Sequence, residues 1–309
     1  MANEISWAAL TGTAEVAEAL AATVRPLLGD PTDLRAYIPE DAFAIGGGAG
    51  ATRVGQYDAH HAFEAATSEI VGSNVTNASI GAGGFLHTLA NYKKRFQVSD
   101  LNKLVAPRGG INLDLLAIVL SNGVGLTYTM LACDVFASIT ATAGSTTTDM
   151  SVDYFFDSHY ALNLVHAPAD RVMVVRPKSF NEFVESLRSE AGALQYSPDA
   201  VAMLSSKGAA YKGNFLGTDI HATDYVDADG GGTYYQGAMF QTGGLARQAG
   251  PAEARAPRAA NVAYIAMGEL LMVFDYDPDN ALEALVGHLA VSVVLAENNR
   301  CVELRSQVA

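Results

Sequence analysis

Cysteine, tryptophan and basic residues are scarce in this sequence. Its 309 residues include only two cysteines and one tryptophan. Cys133 and Cys301 belong to no CxxC pair and to no Cys/His cluster, so the sequence implies neither a zinc site nor a disulfide framework. We expect two reduced, buried thiols in a cytoplasmic protein.

The shortage of positive charge bears on nucleic-acid binding. Lys and Arg total 19 against 33 Asp and Glu, which gives a formal net charge of −14. A protein that binds duplex DNA over a broad face needs cations that displace counterions from the phosphates. The composition therefore argues against such binding, and it is compatible with an acidic protein that encloses DNA without sequence-specific contacts.

Long apolar runs and an export signal are missing as well. No stretch is apolar over the ~20 residues that a membrane helix needs. The first residues lack the basic and then apolar pattern of a signal peptide. We therefore predict no membrane contact and a chain that stays in the cytoplasm where it is made.

Apolar residues and glycine are plentiful. Half of the residues are hydrophobic and 29 are Gly, which suits a large core combined with turns and extended arms. Helical spacing of apolar residues predicts helices at 7–28, 111–139, 152–164 and 179–187, with 121–125 weakening or kinking the second. Runs rich in β-branched and aromatic residues predict strands at 85–98, 171–176, 233–240, 262–265, 270–276, 288–295 and 301–304. Residues 140–149 and 243–258 are predicted loops. The order predicts an α+β fold.

The stretch 31–98 contains several glycine clusters and little regular pattern. A segment of this length without regular structure is unusual inside a compact domain. We therefore expect extended arms that become ordered on neighbouring copies.

Two charged segments are candidate contact sites. Lys93, Lys94 and Arg95 form the only dense basic cluster of the chain. A solvated strand explains this cluster, and so does a salt bridge to an acidic patch on another copy; both interpretations stay open. The acidic candidates are the alternating residues Asp275, Asp277 and Asp279.

These alternating aspartates also resemble the start of a calcium loop. However, the sixth position is Asn280 where the loop needs glycine, and Val286 stands where a bidentate glutamate belongs. Pro278 lies in the middle of the segment. An acidic turn between two strands is the preferred interpretation.

Other motifs that carry chemistry are absent from the sequence. It has no GxGxxG, Walker A, GxSxG or HExxH pattern. His159 and His166 have no carboxylates beside them in sequence and are interpreted as core or interface histidines. We predict no catalytic residue, no cofactor and no metal.

The order of elements resembles a known family. Residues 171–187, RVMVVRPKSFNEFVESL, are similar to its recurrent strand, proline turn and helix, and residues 213–226 to its later glycine turn and strand. Residues 267–304 resemble its closing strands, and 111–139 its long helix. The family comprises the major capsid proteins of tailed bacteriophages, which share the HK97-type fold.

This resemblance implies an α+β, HK97-like capsid fold in five parts. The parts are an N-terminal arm (1–48), an extended loop or E-loop (49–100), the first part of the peripheral or P domain with the spine helix (101–170), an axial or A domain (171–258) and the C-terminal strands of the P domain (259–309).

The resemblance also implies a function. The chain would be a major capsid protein and not an enzyme, self-assembling into hexamers and pentamers of an icosahedral head around double-stranded DNA. A separate scaffolding protein, a portal protein at one vertex and room for a decoration protein are implied. So are a place in the virion and assembly in the host cytoplasm.

Three alternatives remain open. An encapsulin-type compartment shell has the same fold and would need a groove that docks cargo. A cytoplasmic α/β enzyme would use 171–226 as its core and the acidic segment from Asp275 to Asp279 as a metal site. A phage decoration or tail protein would usually be shorter and wholly β.

Overall fold

The computed structural model describes residues 34–40, 52–58, 82–99, 113–164, 170–189, 211–250, 252, 264–267, 269–277 and 282–308. The predicted helix at 7–28, His166 and Asp279 lie outside these residues. No helix within the described residues is long and apolar enough to cross a membrane.

The helices are α1 (Leu113–Phe136), α2 (Val152–Asn163) and α3 (Pro177–Ser189). They confirm the predicted helices at 111–139, 152–164 and 179–187. The helix α1 runs through 121–125 without a break, although glycine costs about 1 kcal/mol in a helix interior. Val124 and Tyr128 are buried in the core, and this packing offsets the weak helix propensity of the segment.

The strands are β1 (Thr52–Asp58), β2 (Ala82–Thr88), β3 (Ala90–Ser99), β4 (Thr142–Gly144), β5 (Arg171–Val175), β6 (Tyr211–Phe215), β7 (Thr218–Ala222), β8 (Tyr234–Gln241), β9 (Leu245–Ala249), β10 (Tyr264–Met267), β11 (Leu270–Asp277), β12 (Leu282–Leu295) and β13 (Cys301–Gln307). Each predicted strand overlaps an observed one, but the strand predicted at 85–98 divides at Leu89 into β2 and β3, and residues 262–263 of another lie outside the described residues. The predicted loops at 140–149 and 243–258 are wrong in part, because each contains a short strand, β4 and β9.

A five-stranded antiparallel sheet forms around β12, the longest strand. β3 pairs with one edge of β12, and β11 followed by β9 pairs with the other. β10 lies beyond β11. A separate ribbon of β1 and β2 leads directly into β3 through Leu89.

A six-stranded sheet has the order β4, β13, β8, β5, β7 and β6. The last strand, β13, pairs with β8 and β4, so the closing strands of the chain divide between the two sheets. This sheet is the middle layer of the molecule. Successive side chains of β5 point to opposite faces of this sheet. Val172 and Val174 therefore lie in one core, and Met173 and Val175 lie in the other.

We call these two cores the spine-side core and the aromatic core. The spine-side core lies between the six-stranded sheet, α1 and the five-stranded sheet, and includes Tyr128, Phe136, Phe240 and Leu289. The aromatic core lies on the opposite face, under α2 and α3, and includes Phe155, Phe183 and Phe215. The five-stranded sheet and α2 are therefore on opposite sides of the middle layer.

Candidate intersubunit surface

The basic candidates occupy the middle of an edge strand. Lys93, Lys94 and Arg95 lie in β3 with exposed side chains, and among the described strands β3 pairs only with β12. Because side chains alternate along a strand, Lys93 and Arg95 point to one face of the sheet and Lys94 to the other. The residues opposite them in β12 are His288, Gly287 and Val286.

Charged residues on an edge strand have two physical uses. Lysine discourages indiscriminate strand pairing, since pairing would bury its charge. The same charges attract an acidic surface whose geometry matches them. Neither use requires a ligand or a catalytic group.

The acidic candidates are not register neighbours of the basic ones. Across β12, Lys93 corresponds to Leu271 of β11 and Arg95 to Val273. Asp275 lies two residues further along β11, so its backbone is about 12 Å from that of Arg95 by strand spacing and rise. Asp277 is further away still. Among the described residues of one chain, the backbones of Asp275 and Asp277 are therefore not next to the basic cluster, and Asp279 lies outside the described residues.

A second surface, which sequence reasoning did not single out, is the outward face of α2. Phe156, Tyr160 and the following Leu164 recur every four residues and are 41%, 67% and 63% exposed. Asp153 and Asp157 are exposed on the same helix at the same spacing. A signal was present, because the helix carries two apolar stripes and only one of them can face the core.

The inward face of α2 is held by a polar contact as well as by apolar packing. The guanidinium of Arg171 donates from Nη1 to Nδ1 of His159 over 2.6 Å. Because arginine cannot accept a hydrogen bond, the neutral imidazole carries its proton on Nε2 and donates it to Oγ1 of Thr218, 2.6 Å away. Arg171 also donates to Asn163. Burial, and secondarily the charge of Arg171, lowers the pKa of His159 to about 4.

A separate polar cluster around Glu269 attaches residues 34–40 to the spine-side core. Nη1 of Arg35 is 2.9 Å from Oε1 of Glu269, and Nη1 of Arg247 is 3.6 Å from Oε2 of the same carboxylate. The hydroxyl of Tyr128 donates to Glu269. Burial, followed by the Glu269 carboxylate, raises the pKa of Tyr128, which keeps its hydroxyl protonated. Both guanidiniums lie 5.5 Å from the centre of the Tyr128 ring.

The same segment also reaches the six-stranded sheet. The hydroxyl of Tyr37 donates to Oδ2 of Asp219 over 2.7 Å, and its ring meets His221 edge-on. Leu34 and Ile38 are completely buried. Residues 34–40 belong to the predicted N-terminal arm, yet they are ordered within their own chain and join its two sheets.

No group of three or more His, Cys, Asp or Glu within the described residues is placed to hold a metal ion. Cys133 and Cys301 are buried free thiols, and burial raises the pKa of both. The described geometry is that of packed layers whose outer faces carry the basic residues of β3 and the apolar stripe of α2.

Comparison with known proteins places this geometry in a family of folds. No protein-family model and no curated protein matches the chain. The capsid of an empty GTA particle is 11% identical over 89% of this chain and 89% of that chain, with a TM-score of 0.54. The capsid of the cyanophage P-SCSP1u is 12% identical over 86% of this chain and 85% of that chain, with a TM-score of 0.53. The chain has the HK97-type capsid fold.

The HK97-type fold is also found outside phage heads. The holo-SrpI encapsulin complex from Synechococcus elongatus is 12% identical over 74% of this chain and 79% of that chain, with a TM-score of 0.51. The fold class predicted from the order of elements is thus confirmed. The boundaries of the five predicted parts remain predictions.

The histidines of this HK97-type chain predict that its stability falls on mild acidification. Burial lowers the pKa of His221 to about 4, below its ordinary value of 6.5, as it does for His159. The unfolded chain therefore takes up protons at a higher pH than the folded chain. This stability is complete above pH 6.5 and is lost as the pH falls from about 6.5 to about 4. The loss reaches up to about 3 kcal/mol for His221 and is smaller for half-exposed His159, where water screens the charge.

Urea unfolding at pH 7 and pH 4.5 measures this loss. His221→Phe keeps a ring beside Tyr37 and removes the titration, so the variant should lose about 2 kcal/mol less than wild type over this range. Equal losses for the two proteins would mean that His221 is not buried in its neutral form.

Proposed function

We propose that this chain is the major capsid protein of a phage head, and that its copies assemble into hexamers and pentamers of a closed icosahedral shell around double-stranded DNA. The observation that carries the proposal is the shared architecture. It extends over 86% of this chain against the cyanophage capsid and 89% against the GTA particle capsid. A fold that spans nearly the whole chain leaves little of it for a separate activity, and we infer that the role is structural and not catalytic.

The net charge supports a shell around DNA. Each chain has a formal net charge of −14, so copies that surround DNA do not bind its phosphates strongly, and packaged DNA stays free to move. The partners that this function implies are a separate scaffolding protein and a portal protein at one vertex, with room for a decoration protein on the shell. Assembly takes place in the host cytoplasm, and the finished protein resides in the virion.

The five predicted parts keep their roles in this proposal: arm 1–48, E-loop 49–100, P domain 101–170 and 259–309, and A domain 171–258. The candidate residues Lys93, Lys94, Arg95, Asp275, Asp277 and Asp279 contribute to contacts between subunits. Exposure of the basic set on an edge strand supports this role.

An encapsulin-type shell is the second candidate function. The specific observation in its favour is the match to the SrpI encapsulin, which covers 74% of the chain, a smaller share than the two capsids cover. Contents distinguish the two functions. A phage head protects double-stranded DNA from nuclease, whereas an encapsulin holds protein cargo.

The size of the assembled protein tests the proposal. We expect the purified full-length chain, alone or coexpressed with its scaffolding protein, to form uniform megadalton shells. Sedimentation and negative-stain microscopy measure them. A chain that stays monomeric or dimeric under every assembly condition would contradict the proposal.

A further inference from the structure

The outward face of α2 has the composition of a contact surface. Tyr160 and Leu164 are about two-thirds exposed, and Phe156 is 41% exposed beside them. Aromatic side chains at exposed positions are enriched in protein interfaces. Asp153 and Asp157 border this apolar stripe, and within the described part of the chain neither carboxylate forms an ion pair.

The opposite face of α2 is fixed to the aromatic core and to β7. Phe155 and Leu162 are completely buried in the aromatic core, and His159 is hydrogen bonded to Thr218 of β7. The helix therefore presents its outer side chains in a fixed geometry. A surface ordered in advance loses little entropy when a partner binds.

The charge on this face points to a basic partner. The chain has 19 basic and 33 acidic residues, so most of the surface of a second copy would repel Asp153 and Asp157. The dense basic cluster on β3 is the exception. Lys93 and Arg95, two residues apart on one strand face, are separated by about 6.7 Å. Asp153 and Asp157, one helical turn apart, are separated by about 6 Å. The two pairs of charges match in spacing.

The two surfaces cannot meet within one chain. α2 packs on the aromatic core, whereas β3 pairs with β12 on the far side of the six-stranded sheet. A contact between them must therefore join two copies. Because it joins unlike surfaces, it is heterologous, and repeated contacts of this kind form a ring when the rotation between copies closes.

We propose that the outward face of α2 in one copy docks on β3 of a second copy, with Asp153 and Asp157 paired to Lys93 and Arg95 and with Tyr160 and Phe156 against the stems of the basic side chains. The inference rests on the proposed shell function and names one of its contacts. Lys94 and Arg95 also interact within their own chain, so Lys93 is the principal cation of the contact. Pairing of the cations with α2 also covers the edge strand with a partner.

Charge reversal tests this contact. Asp157→Lys places like charges opposite each other and should reduce the yield of shells at least tenfold, measured by sedimentation. Lys93→Asp should do the same. Combining the two substitutions in one chain restores opposite charges and should bring the yield back to within threefold of wild type. Glu185→Lys is the matched control, because it makes the same charge change on an exposed position of the neighbouring helix α3.

Each result has a defined meaning. If Asp157→Lys assembles as well as Glu185→Lys, or if the combined variant does not recover, the contact between α2 and β3 is wrong while the shell function stands. If wild type forms no shell at all, the shell function fails and the contact fails with it. Circular dichroism of each unassembled variant separates a folding defect from an assembly defect.

A second measurement requires no variant. A carbodiimide joins a lysine amine to a carboxylate only when the two are in contact. Two isotopically labelled batches of the unassembled wild-type chain are mixed and then assembled into shells. Mass spectrometry should find Lys93 joined to Asp153 or Asp157 between differently labelled copies in these shells. Its absence from shells in which other lysine–carboxylate pairs between copies are joined would overturn the proposal.

Discussion

Replacing Glu269 with glutamine is expected to lower the free energy of unfolding by about 3 kcal/mol. The carboxylate accepts from Tyr128, whose ring is fully buried, and faces the guanidiniums of Arg35 and Arg247. Glutamine has nearly the same shape, so the substitution removes the negative charge and leaves two partly buried cations without it. Urea unfolding of the purified chain measures the change, with variant and wild type held in the same assembly state.

Glu40→Gln is the control for this prediction. The Glu40 carboxylate lies 3.9 Å from Nη2 of the same Arg247, but its side chain is 55% exposed. Exposed ion pairs contribute little, so we expect a change below about 0.5 kcal/mol. Similar losses from the two substitutions would mean that the Glu269 cluster is solvated and does not hold residues 34–40 in place.

This cluster explains why sequence reasoning missed the attachment of residues 34–40. Arg35, Tyr128, Arg247 and Glu269 come from four separate parts of the chain, and no local pattern links them. A short segment that mixes charged and apolar residues without a helical or strand pattern is interpreted as an arm when its contacts in the fold are unknown. Only the assembled layers show that Leu34 and Ile38 fill the spine-side core.

Elements with a strong local pattern were predictable. Residues 172–175 of β5, VMVV, are apolar throughout because both faces of the middle layer are buried, and continuous apolar runs bounded by proline predict such strands. The helix α3 follows at once, with Phe180, Phe183 and Leu187 on one face. The order of such elements was sufficient for the fold class.

Short elements held by pairing were not predictable. β9 contains Ala, Arg and Gln between two glycines, a composition typical of a loop. It is a strand because β12 extends beyond β11 and offers an unpaired edge from Val291 to Leu295. β4 is likewise only three residues long and exists because β13 lies beside it in parallel.

Of the two parts of the candidate surface, the basic residues of β3 were predictable from the sequence and the outward face of α2 was not singled out. Lys93 to Arg95 stand out in an acidic sequence, and their exposure agrees with that prominence. The two apolar stripes of α2 indicated that one of them is exposed, but its aromatic residues are consecutive in sequence and only packing decides which of Phe155 and Phe156 points outwards. The role of the aspartates at 275–279 stays a prediction.

That packing leads to the second large effect: Phe155→Ala should lower the free energy of unfolding by about 4 kcal/mol. The Phe155 ring is fully buried, and its centroid lies 5.1 Å from that of Phe215 and 5.7 Å from that of Phe183. Alanine would leave a cavity at the centre of the aromatic core, and the surrounding rings belong to separate elements that cannot all close on it. Urea unfolding measures the loss.

Phe156→Ala is the matched control, because it makes the same substitution one position along the same helix. Phe156 is 41% exposed, and alanine favours the helix, so we expect the free energy of unfolding to change by less than about 1 kcal/mol. The two variants also separate the two sides of α2. Phe155→Ala should impair folding and, through it, assembly, whereas Phe156→Ala should leave folding intact and weaken only the contact with a second copy. Equal unfolding free energies for the two variants would contradict the placement of α2 on the aromatic core, since only one of two consecutive rings can face it.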